Sequence, residues 1–209
     1  LKATNGSKLE KRDGGVVLAS GKLERTVYTV NADTGLSGIT GVRLELLADD
    51  KLPKKGPGRN DDGNFVLTEF SLKAIATGEG QGRKTTKVAF ADAKADFSQK
   101  TFEAKKAVDG KVDNSGWATH PKEGTDRTAI FIPKETFGVE GGSRLIFTLN
   151  QNYNSKKHAI GKFRLLVTTD EKVEIGYPSD IGVILALAGD KRSRSEERRV
   201  GNECRSRWS

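Results

Sequence analysis

Hydrophobic and polar residues alternate along short stretches of this chain, and turn-forming residues separate the stretches. Within residues 41–47, Val42, Leu44 and Leu46 alternate with charged residues. A period of two residues is typical of a β-strand with one face buried and the other in water. The same pattern predicts strands at residues 8–11, 16–20, 26–31, 41–47, 64–76, 84–91, 101–108, 127–133, 143–150 and 160–169.

This many strands with one predicted helix favours an all-β, antiparallel β-sandwich or jelly roll over an alternating α/β fold. We expect the sandwich to occupy residues 1–176. A short C-terminal helix is predicted within residues 177–192, where Ser179 can cap it. Its apolar stripe falls at helical spacing, which suggests a linker leading to a further domain. The stripe consists of Ile181, Ile184, Leu185 and Ala188.

The last residues, 193–209, differ in character from the rest of the chain. They are rich in Arg and resemble the peptide encoded by a translated sequencing adapter, so we predict a non-native tail. Residues 191–209 hold seven Lys or Arg and three Asp or Glu, which leaves +4 of the total charge of +8 for the remainder. That charge is too small and too scattered to predict nucleic-acid binding. The chain has no methionine and no long apolar run, so we expect a fragment of a longer protein without a membrane span.

Residues 51–64 connect two predicted strands and are unusually rich in proline, glycine, asparagine and aspartate. The connection is too long for a simple hairpin. Pro53, Pro57 and the glycines restrict its backbone, so we expect an ordered loop that forms part of a rigid rim.

Two segments of the chain resemble a known family when taken together. They are GVRLELLADDKLPKKGPGRNDDGNFVLTEF at 41–70, and AVDGKVDNSGWA at 107–118 followed by IGKFRLLVTT at 160–169. They are similar to the β-sandwich region of large planctomycete-type proteins that carry a cytochrome-c-like domain and flanking domains of unknown function. The pattern from Ala107 to Trp117 is also similar to galactose-binding-like modules, so the resemblance implies an antiparallel β-sandwich of jelly-roll or galactose-binding-like type. The resemblance implies an exported protein, periplasmic or extracellular, linked to polysaccharide degradation. Haem is not implied for these residues, because they contain no Cys-x-x-Cys-His sequence.

Several side chains are candidates for ligand contact at the loops. Trp117 could stack on a sugar ring or plug the space between the sheets, and the plug is the more frequent role of a tryptophan after a turn. Arg59 could clamp an anionic group or hold its loop against Glu69 or a backbone carbonyl, and we favour the second. The full set of predicted ligand-binding residues is Arg59, Asn60, Asp61, Trp117, Asn152 and Tyr153.

Calcium is a weaker possibility, because carboxylates occur near loops but not in the spacing of a calcium-binding loop. Its candidate ligands are Asp61, Asp62, Asp109 and Asp113. His120 and His158, the two histidines, match no metal-ligand spacing and lie next to no nucleophile motif. We therefore expect no cofactor and no enzyme activity. The sequence favours a carbohydrate- or surface-ligand-binding module, with a structural spacer that packs between neighbouring domains as the alternative.

Overall fold

The structure is a computed structural model and describes residues 1–78 and 84–176. Eleven strands and three short 3₁₀ turns lie within these residues. The strands are β1 Lys2–Ala3, β2 Ser7–Lys11, β3 Val17–Gly21, β4 Thr26–Thr34, β5 Gly41–Leu46, β6 Glu69–Ala76, β7 Thr85–Val88, β8 Phe90–Ala95, β9 Arg127–Pro133, β10 Ser143–Gln151 and β11 Lys162–Thr168. The 3₁₀ turns are Asp13–Gly15, Pro53–Lys55 and Ala104–Val108.

The strands form two antiparallel sheets. The first has the order β1-β4-β10-β6-β7 and the second has the order β2-β3-β11-β5-β9-β8. The prediction of an all-β antiparallel sandwich is therefore confirmed. The predicted linker helix at 177–192 and the tail at 193–209 lie outside the described residues. No described helix is long and apolar enough to cross a bilayer.

The core lies between the two sheets and is built from every second residue of the long strands, as the alternation predicts. Phe70 of β6 stacks on Phe131 of β9 with ring centroids 4.1 Å apart, so this pair joins one sheet to the other. Tyr28 of β4 similarly stacks on Phe163 of β11 at 6.0 Å, and its hydroxyl donates a hydrogen bond to the Ile160 carbonyl. Burying one aromatic side chain of this kind stabilises a fold by about 1.5–3 kcal/mol.

Three predicted strands differ from the structure. The stretch 101–108 is not a strand but contains the 3₁₀ turn, because Ala104 and Ala107, three residues apart, are both buried. The stretch 84–91 divides into β7 and β8, which belong to different sheets, so the chain crosses the sandwich at Ala89. In the stretch 64–76 only β6 is regular.

The outer face of the second sheet is less exposed than the alternation predicts. Arg43 is only 8% exposed, and its Nε lies 3.0 Å from Oε1 of Glu45. Arg164 of the neighbouring strand donates to the other Glu45 oxygen at 2.6 and 2.8 Å. Glu45 is therefore shared by Arg43 of β5 and Arg164 of β11, and these three side chains cover a part of the outer face that the alternation predicts to be exposed to solvent.

Backbone hydrogen bonds hold loop 51–64 in place. Gly58 donates to the Gly63 carbonyl at 2.9 Å, Arg59 donates to the Ala159 carbonyl at 2.7 Å, and Gly161 donates to the Pro57 carbonyl at 2.8 Å. The last two bonds fasten the loop to the segment that precedes β11. Gly58 is also too close to its own loop for a side chain.

We predict that Gly58→Ala unfolds the loop or the domain, because a Cβ at this position would lie 1.9 Å from the Asn64 carbonyl oxygen. The expected loss is roughly 3 kcal/mol or more in the free energy of unfolding, measured by urea denaturation. Gly35→Ala is the matched control, since a Cβ there meets nothing within 4 Å. Equal stability of the two variants would contradict the packing described for this loop.

Candidate functional site

The loops at one end of the sandwich bring together most of the residues that the sequence singled out. This end holds the connections that lead into β4, β6, β9 and β11, including loop 51–64 and residues 152–161. Backbone bonds join these connections to each other and to β10: Val66 donates to the His158 carbonyl at 3.0 Å, and Thr68 donates to the carbonyl of Asn150 in β10 at 2.9 Å. Side chains on these loops are therefore presented from a rigid base.

Arg59 holds its loop against the turn that follows β3. Its Nη2 donates to the Gly21 carbonyl at 2.6 Å, and its Nη1 lies 3.5 Å from the Lys22 carbonyl. The favoured interpretation, in which Arg59 bonds a backbone carbonyl, agrees with this geometry. Glu69, the other expected partner, does not take part.

Trp117 is completely buried and presents no surface to a ligand. Its indole N–H donates to the Phe97 carbonyl at 3.0 Å, and its ring packs edge-on against Phe65 with centroids 5.1 Å apart. Its backbone exchanges two hydrogen bonds of 2.9 Å with Leu67. The plug role fits this geometry, whereas direct stacking of Trp117 on a sugar is wrong for this structure, because the residue has no exposed surface.

Asn60, Asp61 and Asp62 lie at the tip of loop 51–64 and are arranged by short polar contacts. Asn60 Nδ2 donates to Asp62 Oδ1 at 2.7 Å, while Asp61 Oδ2 lies 3.1 Å from Lys157 Nζ on the neighbouring loop. Burial alone would raise the pKa of Asp62, but the hydrogen bonds from Asn60 and from the Asn64 backbone lower it overall. The N–H groups that donate to Asp62, together with the nearby His158 and His120, therefore favour its charged carboxylate form.

Three half-buried rings lie beside this tip, and we call them the loop-end cluster: Phe102, Tyr153 and His158. The Tyr153 ring meets the Phe102 ring edge-on at 5.8 Å and the His158 ring edge-on at 5.3 Å. Because His158 is close enough to Asp62 to contribute to lowering its pKa, the cluster adjoins the polar tip. Arg25 Nε donates to the Tyr153 carbonyl at 3.0 Å and so fixes the backbone under the central ring.

The sequence identified Tyr153 but not its two ring neighbours. Phe102 belongs to a stretch that alternation assigned to a strand, and His158 lacked any metal-ligand spacing. Phe102 lies in the connection between β8 and β9, whereas Tyr153 and His158 share the connection between β10 and β11, so no local signal in the sequence links Phe102 to the other two rings. Asn152, also predicted to bind a ligand, lies half-buried next to Tyr153, and its backbone N–H is 3.3 Å from the Thr68 hydroxyl.

The predicted calcium ligands do not come together as one group. Asp109 accepts a hydrogen bond from the Lys111 backbone at 2.9 Å, and Asp113 accepts from the Ser115 backbone at 2.8 Å, so both stabilise turns. Across residues 1–78 and 84–176, no three His, Cys, Asp or Glu side chains are placed to hold a metal ion. Calcium binding stays an untested prediction.

Glu69, the first residue of β6, is an unusual carboxylate near this end. Its pKa is raised to about 7, chiefly by burial; the Gly110 N–H opposes this rise, the nearby Asp109 carboxylate adds to it, and Lys87 opposes it. Its Oε2 atom is buried without a hydrogen-bond partner among the described residues. A protonated carboxyl group is therefore favoured here at mildly acidic pH.

Comparison with known proteins does not assign the chain to a family. No protein-family model, no curated protein and no solved structure matches it. The resemblance to planctomycete-type proteins therefore stays a prediction from the quoted segments.

We predict that Trp117→Ala lowers the free energy of unfolding by about 3–5 kcal/mol, because it leaves a large cavity and an unpaired Phe97 carbonyl. Trp117→Phe should lose less, since it retains most of the ring volume. Chemical denaturation followed by circular dichroism measures both values. A Trp117→Ala protein as stable as the wild type would show that the indole is not part of the core.

We predict that Glu69→Gln stabilises the domain at pH 8 relative to wild type, and that this gain shrinks toward pH 4.5. The folded-state pKa of Glu69 is raised, so the folded protein binds more protons than the unfolded chain between the two pKa values. The stability that wild-type Glu69 contributes is present at low pH and is lost as the pH rises through about 7.

Water reaches part of this side chain, so we expect a change of only about 1–2 kcal/mol between the two pH values. Urea unfolding of both proteins at each pH measures it. Glu140→Gln, at an exposed position, is the control. A Glu69→Gln gain that is the same at both pH values would refute the raised pKa.

Proposed function

We propose that this domain is a non-catalytic module that binds a glycan at the loop end of the sandwich. The observation that carries the proposal is the adjacency of the loop-end cluster and the tip formed by Asn60, Asp61 and Asp62. Sugars offer a ligand site two kinds of surface, which are apolar ring faces and neighbouring pairs of hydroxyl groups. Half-buried rings match the first, and fixed amide and carboxylate groups match the second.

The central ring of the site is Tyr153, in place of Trp117. A tyrosine combines a flat apolar body with a hydroxyl that can hydrogen-bond, and here its backbone is fixed by Arg25. Asp61 and Lys157 stand at the edge of the site as an exposed ion pair. An exposed ion pair of this kind contributes little to stability. Asp61 and Lys157 can therefore separate and form hydrogen bonds with ligand hydroxyls at little cost in free energy.

The wider setting of the module is part of the same proposal. A galactose-binding-like sandwich in an exported multidomain protein, either periplasmic or extracellular, would hold its parent chain on a polysaccharide. The quoted segments that resemble planctomycete-type proteins support this setting. The polysaccharide and the neighbouring domains would be its two partners.

A structural spacer is the second candidate, and one observation favours it. Several polar candidates are already occupied within the fold: Arg59 bonds Gly21, and Asp109 and Asp113 close turns. A spacer would pack its faces on neighbouring domains and bind no small ligand.

Affinity electrophoresis through gels that contain neutral or acidic polysaccharides, together with a glycan array, separates the two candidates. We expect wild-type protein to show saturable retention on at least one polysaccharide. Tyr153→Ala should bind that polysaccharide about fivefold more weakly, which corresponds to the loss of about 1 kcal/mol of ring contact. Tyr153→Phe should retain most of the affinity, because it keeps the ring.

Val139→Ala is the matched control. Val139 is an exposed apolar residue in a loop at the opposite end of the sandwich, so its loss should leave retention unchanged. Circular dichroism verifies that each variant is folded. No retention on any polysaccharide would favour the spacer, and equal retention of wild type and Tyr153→Ala would place the ligand elsewhere.

A further inference from the structure

The open side of the sandwich, next to the β4 and β11 edges, contains an apolar cleft between the two sheets. Its volume is about 870 Å³, and it opens along the side where β4 and β11 lie. Pockets of about 300–1,000 Å³ are the usual size for small-molecule sites. This cleft is distinct from the loop-end cluster and from the glycan site proposed above.

The cleft exists because two strands lack a neighbour on this side. β11 pairs with β3 only through Lys162 and Phe163, although it pairs with β5 as far as Thr168. β4 pairs with β10 along its whole length but pairs with β1 only at Tyr28 and Thr29. Within the described residues, no strand covers the gap between these two edges, so the layer between the sheets opens there.

The walls of the cleft are inner-face side chains of four strands from both sheets, and they are apolar. They comprise Val17, Val30, Leu145, Phe147, Phe163, Leu165 and Val167. These seven side chains offer no hydrogen bond to a polar ligand, and burying a polar group between them without a partner costs free energy. The interior therefore suits a hydrocarbon chain.

The mouth of the cleft is positively charged. Lys11 lines it, and its ammonium group forms no ion pair with another described residue. Asp33 also lines the mouth, but both of its oxygens accept hydrogen bonds from Arg144, at 2.7 and 2.9 Å. The Asp33 charge is therefore compensated, and the charge left to meet a ligand at the mouth is that of Lys11.

We propose that this cleft binds an amphipathic anion, a single hydrocarbon chain that ends in a carboxylate, with the chain between the sheets and the head group at Lys11. An extended peptide adding to the free strand edges is the rival occupant. The walls disfavour it, because a peptide between two apolar layers could pair its backbone on one side only.

The test measures binding of dodecanoate and dodecanol to the full chain by calorimetry, below the concentration at which micelles form. We expect saturable binding of dodecanoate by the wild type. Val30→Phe fills the cleft from one sheet and Val167→Phe fills it from the other, so each should abolish binding while circular dichroism shows a folded protein. Two variants from different sheets keep the test valid if one of them fails to fold.

The head group is tested separately. Lys11→Glu should weaken dodecanoate binding about fivefold or more, equivalent to about 1 kcal/mol, and should change dodecanol binding less than about twofold. Lys8→Glu on the same strand is the control, because Lys8 does not line the cleft.

Three outcomes would overturn the proposal. The first is that dodecanoate shows no saturable binding, and the second is that both cleft-filling variants fold and still bind it as the wild type does. The third is that a peptide with alternating valines, measured in the same way as the rival occupant, binds saturably while dodecanoate does not. Equal weakening of dodecanoate and dodecanol by Lys11→Glu would refute the assigned head group. None of these results depends on whether a glycan binds at the loop end.

Discussion

The stacking of Phe70 on Phe131 is the contact on which the rest of the structure depends, because it joins the two sheets at the centre of the sandwich. The ring centroids are 4.1 Å apart, and Phe90 and Phe147 also pack against Phe70. Side chains from both layers meet only if every second residue of each strand points inward. The same requirement places the intervening residues of each strand on the outer faces of the sheets, and so it determines which side chains are available on the surface to contact a ligand.

The loop end and the open side of the sandwich are built differently, and this difference separates the two proposed sites. At the loop end, the buried Asn64 amide joins loops: its oxygen accepts from the Thr119 backbone at 3.1 Å, and its nitrogen donates to Gln99 at 3.2 Å. Such contacts make the polar tip and its rings a firm surface. On the open side no strand of the described residues bridges β4 and β11, and the apolar cleft lies there.

The strand pattern could be predicted from the sequence wherever burial of one face decided the structure locally. The alternation placed β5, β9 and β10 within a residue of their observed bounds. It failed at residues 84–91 and 101–108, where contacts between residues far apart in sequence decided the structure. One residue, Ala89, carries the chain from one sheet to the other, and the buried pair Ala104 and Ala107 imposes a spacing of three.

For the site, residue type indicated the chemistry but not the position. Composition indicated that loop 51–64 is ordered and that Trp117 and Tyr153 are candidate aromatic ligand contacts. Only the packing showed that Trp117 is buried and that Tyr153 is half-exposed. Alternation, turn residues and composition determined the all-β class, because each depends on neighbours along the chain. The tertiary structure alone decided which loops meet and where the sheets part, because those contacts join residues far apart in sequence.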